Sequence, residues 1–165
     1  MAINKNAKLE ISNTNHALQA EALLERFKTL YREMNARDLK LNLLKQVYAE
    51  GMVFHDSFHH IQGREKFIVY CENLYQNLQR CDFEFHEQWL SADQAMLTWT
   101  MVYEHPRLKW GKPISVEGAT HIRFATQAEE AQICFHQDFC DGGALLYEHV
   151  PVLGTIIQQL KKRLV

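Results

Sequence analysis

The sequence predicts an α+β domain in which an antiparallel sheet follows a group of N-terminal helices. Apolar residues recur at helical spacing up to about residue 80, apart from one short strand, and then switch to a period of two. No stretch of the 165 residues repeats, and no low-complexity or linker-like segment divides them. With 47% hydrophobic residues, the chain has the composition of one globular domain with a substantial core.

The first helix is predicted from Thr14 or Asn15, either of which can cap it, to about Asn35. The apolar residues of this stretch recur as on one helix face, which comprises Leu23, Phe27, Leu30, Tyr31 and Met34. Residues 1–13 lead into polar, Asn-rich sequence, and we expect them to be a disordered N-terminal segment.

A second, shorter helix is predicted to begin after the cap residue Asp38 and to end at Gly51. Residues 52–58 have the pattern of a strand, and Gly63 precedes a third helix. Four strands then follow, at about 81–91, 94–105, 114–126 and 131–140.

The chain after the last strand is different in character. Gly142 and Gly143 break the strand, so that 14–141 is predicted as the domain and 142–165 as a C-terminal helical extension, with Pro151 in the first turn of its helix. We expect this helix to pack on the domain or to seal the open end of the sheet. The alternative is contact with a membrane surface, which the basic end Lys161–Arg163 favours.

Charge and cysteine usage exclude several classes of protein. The net charge of −2 gives no electrostatic attraction to nucleic acid. The N-terminus lacks the apolar core of a signal peptide, and no apolar run reaches membrane-spanning length. The four cysteines form no C-x-x-C pair, which predicts free thiols and a cytoplasmic location.

The closing strand, from Ile133 to Asp141, is the most informative stretch. Its alternation puts His136 and Asp138 on one face and phenylalanines on the other, and neither face has the Lys, Glu or Thr of an ordinary solvent face. This pattern indicates an enclosed polar site. The alternative is that His136 and Asp138 belong to the wet face of a two-layer fold.

Four segments, in their order and spacing, resemble the nuclear transport factor 2-like superfamily, which includes SnoaL-like polyketide cyclases, ketosteroid isomerases and limonene-epoxide hydrolases. They are Asn35-Ala36-Arg37-Asp38-Leu39, Val53-Phe54-His55-Asp56, Gly63, and His136-Gln137-Asp138-Phe139-Cys140-Asp141. The resemblance spans residues 17–141. It implies a curved antiparallel sheet wrapped around the N-terminal helices as a cone, with a pocket inside and usually a homodimer.

Asp56 is the first candidate catalytic residue. It shares a strand face with Phe54 and Phe58, and burial among them would raise its pKa towards that of a general base. The resemblance places Asp56 where ketosteroid isomerases keep their general base. It also places Leu30 and Thr120 where those enzymes have an oxyanion-binding tyrosine and a second acid, so classical steroid isomerisation is not expected.

Asp138 with Glu104 is the second candidate. The closing strand resembles that of limonene-epoxide hydrolases, in which an aspartate matching Asp138 acts with a second carboxylate through one water. Counting through the loop places Glu104 at that second position, whereas Val102 stands where the family has an arginine. The alternative for Glu104 is a solvated residue at a strand end.

Histidines form the third candidate site. A tight turn at 127–130 would place His121 opposite His136, on the face that carries Asp138, and we include His55 in the same set. An imidazole beside a carboxylate is a good proton-transfer pair. A zinc site is possible by residue type, but the spacing of the known zinc motifs is missing, so we expect neither metal nor cofactor.

Aromatic and polar residues elsewhere complete the predicted ligand-binding set. Trp99 and Thr120 lie on predicted strands, and Trp110 lies in the loop between Pro106 and Pro113. Large apolar side chains with few polar groups are typical of small-molecule sites. Trp110 is the candidate for a flexible rim, while Trp99 fits a core as well as a pocket.

These observations favour a small-molecule-binding domain. The leading hypothesis is a cofactor-independent isomerase, cyclase or epoxide hydrolase that acts on a small hydrophobic molecule. A non-catalytic ligand-binding domain and a dimeric protein-interaction module are the alternatives. If His136 and Asp138 face the pocket, then Ile133, Phe135 and Phe139, with Ile122 and Phe124 beside them, would face outward and be covered by a homodimer.

Overall fold

A computed structural model describes residues 5–35, 37–127, 130–150 and 153–163. The helices are α1 (Lys5–Glu33), α2 (Leu41–Val47), α3 (Arg64–Tyr75), α4 (Gly142–Leu145) and α5 (Leu153–Arg163). The strands are β1 (Tyr48–His55), β2 (His60–Gln62), β3 (Arg80–Leu90), β4 (Gln94–Glu104), β5 (Ile114–Gln127) and β6 (Glu130–Cys140).

One curved, six-stranded sheet in the order β2-β1-β6-β5-β4-β3 holds the N-terminal helices against its inner face, which confirms the predicted α+β architecture. The core forms where apolar residues of α1 and α3, such as Phe27 and Phe67, meet strand residues such as Leu97 and Ile122. The sheet is not wholly antiparallel, because β1 runs parallel to β6. No hairpin joins these two strands, so their relative direction is not constrained by a tight turn.

Helix α1 begins at Lys5 rather than at Thr14 or Asn15. The predicted disordered segment 1–13 is therefore helical from residue 5, and residues 1–4 lie outside the described part of the chain. No proline or glycine occurs between Lys5 and Glu33, so nothing in the sequence stops the helix from extending towards the N-terminus.

Strand β1 begins at Tyr48, so Gly51 lies inside a strand and does not end α2 as predicted. The pairing of β1 with β6 shifts between Tyr48 and Val53, and glycine is a common residue at such irregularities. The three-residue strand β2 was not predicted, because so short and polar a segment carries no measurable periodicity. Gly63 precedes α3 as predicted and has a φ of 95°.

A β-bulge in β6 changes which residues face the core. Arg123 pairs with Phe135 and Phe124 pairs with Ile133, so Cys134 is an extra residue without a partner in this ladder. Ile133 before the bulge and His136 after it consequently both point inward, with exposures of 0% and 1%.

The prediction that Ile133 faces outward is therefore wrong. It is also wrong for Ile122, which is fully buried, and for Phe124, which packs against the core. The prediction assumed unbroken alternation along β6, and the bulge interrupts that alternation by one residue.

The start of the C-terminal extension closes one side of the domain. The side chain of Asp141 caps α4 by accepting a hydrogen bond from the Gly143 N–H at 2.7 Å. The Tyr103 hydroxyl donates to the Leu145 carbonyl. This first part of the extension therefore packs on the sheet.

Helix α5 leaves Ile156 and Leu160 about half exposed. Pro151, predicted in its first turn, lies outside the described residues. None of the described helices combines the length and apolarity needed to cross a membrane. Contact of this helix with a membrane surface stays a prediction.

Candidate functional site

A cavity of about 400 Å³ lies between the inner face of the sheet, helices α1 and α3, and the start of the C-terminal extension. Its wall is mainly aromatic and aliphatic, and its carboxylates are those of Asp56 and Asp138. Leu145 and Leu146 close it on the side of the extension. Such a volume and lining are those of a small-molecule site.

Asp138 uses its two carboxylate oxygens differently. The Thr120 hydroxyl donates to Oδ1 at 2.5 Å, and His136 Nε2 lies 2.9 Å from the same oxygen. No described residue donates a hydrogen bond to Oδ2, although the side chain is only 22% exposed. Oδ2 is therefore the atom of this carboxylate that remains available to a molecule in the cavity.

The sheet fixes the position of this carboxylate. Thr120 and Asp138 are cross-strand partners on β5 and β6. Trp99 Nε1 donates to the Thr120 hydroxyl oxygen at 2.8 Å, and both residues are buried. Because each hydroxyl has one hydrogen, accepting from Trp99 leaves Thr120 free to donate to Asp138.

A chain of hydrogen bonds runs from Asp138 back to the cavity. His136 Nδ1 lies 2.8 Å from the Tyr48 hydroxyl, which in turn lies 3.0 Å from the Tyr31 hydroxyl. Tyr31 lines the cavity, as Asp138 does, whereas His136 is 1% exposed and lies behind the wall. The two ends of the chain therefore face the same space.

The protons on this chain can be assigned from its partners. Burial raises the pKa of Tyr31 and of Tyr48 well above the ordinary value, so both hydroxyls keep their protons. With neutral His136, Tyr31 donates to Tyr48, Tyr48 donates to Nδ1, and Nε2–H donates to Asp138. With a doubly protonated His136, both tyrosine hydroxyls reverse, and the hydrogen of the Tyr31 hydroxyl no longer points to Tyr48.

Asp56 is the second carboxylate of the wall, and its side chain is 9% exposed. Burial alone would raise its pKa, but hydrogen bonds from the Phe58 N–H, the Tyr70 hydroxyl, and the ring and N–H of His59 together lower it. The predicted raised pKa is therefore wrong, while the predicted polar neighbours are present. A carboxylate stabilised by so many donors is a weak base.

The three cysteines of the cavity wall are poor nucleophiles at neutral pH. Cys71, Cys81 and Cys140 line the cavity. Burial raises the pKa of Cys71 and of Cys81 to about 12, and it also raises the pKa of Cys140. All four cysteines of the chain are unpaired, as predicted. Within the described ranges no three side chains of metal-ligating type come together.

Glu104 does not join Asp138. Its neighbour Tyr103 is buried and lines the cavity, so Glu104 points to the opposite face of the sheet, where its carboxylate lies 3.9 Å from Arg80. The predicted pair assumed that both residues lie on one face. A two-carboxylate site of Asp138 and Glu104 is thus not formed.

His121 and His55 also lie outside the cavity. His121 pairs with Gln137 across the strands, not with His136, and its Nε2 is 2.9 Å from Gln94 Oε1 on the outer face. The predicted contact between His121 and His136 is therefore wrong. The ring of His55 lies 4.0 Å from that of His60, away from Asp138.

The remaining predicted ligand-binding residues divide between wall and surface. Trp99 lines the cavity, and Thr120 lies directly behind Asp138. Trp110 is 89% exposed and does not line the cavity, although Leu108 in the same loop does. Trp110 therefore does not form the rim we predicted.

Sequence reasoning missed Tyr48 and underestimated Tyr31. Leu30, which took the tyrosine position in the resemblance, is fully buried in the core, and Tyr31 reaches the cavity instead. Tyr48 lay hidden at the end of a predicted helix. The signal that could have identified Tyr48 is its place as an aromatic residue at the first position of β1, which pairs with the strand that carries His136.

A curved sheet wrapped around helices, with an apolar cavity between them and a carboxylate in its wall, defines the class of cone-shaped nuclear transport factor 2-like domains. Residues 27–133 match the SnoaL-like domain. Because this match covers more than half of the chain, the chain belongs to the SnoaL-like domain family. No protein with a curated description matches it.

Several solved structures have the same fold. A protein from Jannaschia sp. CCS1, provisionally assigned as a SnoaL-like polyketide cyclase, has a TM-score of 0.65 at 16% identity, over 79% of this chain and 90% of that one. AclR of Streptomyces galilaeus, provisionally assigned as a hydroxylase, has a TM-score of 0.62 at 15% identity, over 84% and 98%. A provisionally assigned isomerase of the SnoaL-like family from Agrobacterium tumefaciens has a TM-score of 0.57 at 16% identity, over 76% and 99%. At these identities the likeness establishes the fold and not an activity.

Proposed function

We propose that the protein is a cofactor-independent acid/base enzyme, an isomerase or cyclase, that acts on a small hydrophobic molecule in the cavity. Asp138 takes and returns the proton, and His136 holds the Asp138 carboxylate in position. The observation that carries the proposal is that Asp138 Oδ1 accepts two hydrogen bonds while Oδ2 has no partner among the described residues, in a mainly aromatic and aliphatic wall. Few, convergent polar groups in an apolar wall are typical of such sites.

The chemistry begins at a C–H bond next to a carbonyl group. Asp138 Oδ2 accepts the proton, the electron pair of the C–H bond moves into an enolate, and negative charge develops on the carbonyl oxygen. Thr120 and His136 stay on Oδ1, so the carboxyl group keeps its orientation. Return of the proton to another carbon completes an isomerisation. Alternatively, the enolate carbon attacks a second carbonyl and closes a ring, and the alkoxide formed there takes the proton back from Asp138.

The developing oxyanion needs a hydrogen-bond donor. Tyr31 is the candidate, because its hydroxyl lies at the cavity end of the chain through Tyr48 and His136. When His136 carries a second proton, the Tyr48 hydroxyl donates to Tyr31 and the Tyr31 hydroxyl donates into the cavity. The base and the donor are then linked through one buried imidazole.

Epoxide hydrolysis is not part of the proposal, because Glu104 lies on the outer face. A non-catalytic ligand-binding domain is the second candidate. This candidate is favoured because several hydrogen-bond donors of the wall are already bound to other protein groups and not directed at a ligand. Tyr70 donates to Asp56, Tyr103 to the Leu145 carbonyl, and Trp99 to Thr120.

Exchange of carbon-bound hydrogen tests the proposal without knowledge of the natural substrate. We expect the protein to accelerate deuterium uptake by 2-tetralone in D₂O above the rate in buffer, since this ketone is small, apolar and has acidic C–H bonds. Uptake is followed by proton NMR, with heat-denatured protein as the control. Saturation transfer to the ketone without deuterium uptake would favour the binding domain. If the protein shows no saturation transfer and no uptake, both candidates are contradicted.

We also infer a homodimer formed through the outer face of the sheet. Phe139 is 46% exposed there, on the same face of β6 as Phe135, and exposed aromatic residues favour burial against a second copy.

Sedimentation velocity at micromolar concentration is expected to give a dimer. Phe139→Lys should shift it to a monomer, because it places a charge at the centre of the contact. Leu18→Lys on α1, where the side chain is 59% exposed, is the matched control and should leave the dimer intact. A wild-type monomer would contradict this inference.

A further inference from the structure

The fixed charges of the cavity wall all have one sign. Asp56 and Asp138 line the cavity, and none of the described lining residues is a lysine or an arginine. The lowered pKa of Asp56 keeps it ionised at neutral pH. An anionic ligand would therefore be repelled, and a cationic one attracted.

The two histidines in the wall already have partners. His59 Nδ1 lies 3.0 Å from an oxygen of Asp56, and His105 Nδ1 accepts a hydrogen bond from the Arg107 N–H at 3.1 Å. Neither ring nitrogen that is engaged in this way is free to bind an anion. The histidine that contacts Asp138 is His136 behind the wall, which when neutral donates its Nε2–H to Oδ1 and leaves the carboxylate its negative charge.

The end of helix α3 contributes further negative potential. Its last residues and the turn that follows, among them Asn73, Tyr75 and Asn77, line the cavity. The carbonyl end of a helix carries about half an elementary negative charge. The last turn of α3 contains no basic residue that would neutralise it.

Among the described residues, nine with aromatic side chains line the cavity, including Tyr31, Phe54 and Trp99. The faces of aromatic rings carry negative potential and attract cations, most strongly in a dry site. The same rings accept the apolar body of a ligand. Carboxylate, helix end and rings therefore favour the same kind of ligand by three independent effects.

We infer that the cavity binds a small organic cation, a protonated amine or quaternary ammonium group on an apolar body, with Asp138 Oδ2 as its counter-charge. The inference rests on the proposed function only in that both place the ligand in this cavity. With a neutral His136 the two are compatible, because a positive group beside a C–H bond then stabilises the negative charge that develops when Asp138 removes the proton.

Three ligands with the same phenol body isolate the effect of charge. They are (4-hydroxyphenyl)trimethylammonium, its neutral counterpart of equal shape 4-tert-butylphenol, and the anion 4-hydroxybenzoate. In calorimetric titrations we expect the cation to bind about tenfold more tightly than the neutral compound. The anion should give no measurable binding.

Asp138→Asn should remove most of this preference and leave the affinity for 4-tert-butylphenol unchanged. Glu104→Gln makes the same chemical change on the outer face and should alter neither affinity. A thermal melt of each variant verifies that it is folded.

Equal affinity for the cation and the neutral compound, or a preference that survives in Asp138→Asn, would overturn the inference and leave the proposed function standing. Binding of the anion at an affinity like that of the cation would overturn it as well. If none of the three compounds binds, both the inference and the ligand-binding function of the cavity fail.

Discussion

Replacing Gly118 by alanine is expected to lower the free energy of unfolding by about 1–3 kcal/mol. Gly118 and Trp99 are cross-strand partners, and the indole lies over the glycine. A Cβ added to Gly118 would lie 2.3 Å from Cη2 and 2.4 Å from Cζ2 of this ring. Trp99 is 4% exposed and its Nε1–H is held by Thr120, so the ring cannot move aside without losing that hydrogen bond.

Urea denaturation of the variant and of two comparison proteins measures this effect. Gly51→Ala is the matched control, because no atom lies within 4 Å of its added Cβ, and its stability should stay within about 0.5 kcal/mol of the wild type. Trp99→Phe combined with Gly118→Ala should lose less stability than the two single changes added together, since the smaller ring relieves the clash. A Gly118→Ala protein as stable as the wild type would show that the indole does not rest on this glycine.

The order of the longer helices and strands could be predicted from the sequence because each of them carries its own periodicity, which the three-residue strand β2 lacks. The inward position of His136 and Asp138 followed from the alternation after the bulge. The bulge itself could not be predicted, because Cys134 is not a residue type, such as glycine or proline, that marks an irregularity within a strand. The predicted outward position of Ile133 and the predicted approach of His121 to His136 failed for this reason.

The electrostatics of the candidate site depend on contacts between distant segments, which a single sequence does not reveal. The side chain of Asp56 is 9% exposed, but its pKa is decided by donors from the turn after β1 and from Tyr70 on α3. Likewise, the chain from Tyr31 through Tyr48 to His136 joins a helix and two strands. Only folding brings the two hydroxyls and the imidazole within hydrogen-bond distance of one another.

Asp138→Asn is expected to reduce the protein-catalysed deuterium uptake by 2-tetralone by about 100-fold or more. The amide has almost the shape of the carboxylate, and its oxygen can still accept from the Thr120 hydroxyl, so the cavity is retained. The amide nitrogen, however, cannot accept the proton that Oδ2 accepts in the wild type. The change therefore removes the base and leaves the apolar wall that holds the ketone.

Three measurements separate this loss from a loss of structure. Near-ultraviolet circular dichroism and the melting temperature should match the wild type, and saturation transfer to 2-tetralone should persist. Glu104→Gln serves as the control for removing a carboxylate from the same sheet, because its side chain lies on the outer face beside Arg80. Its rate should stay within about twofold of the wild-type rate, which is the size expected of an exposed change remote from the chemistry. A wild-type rate in Asp138→Asn would exclude this carboxylate as the base. An equal loss of rate in both variants would mean that the rate depends on the net charge of the protein rather than on proton transfer at Oδ2.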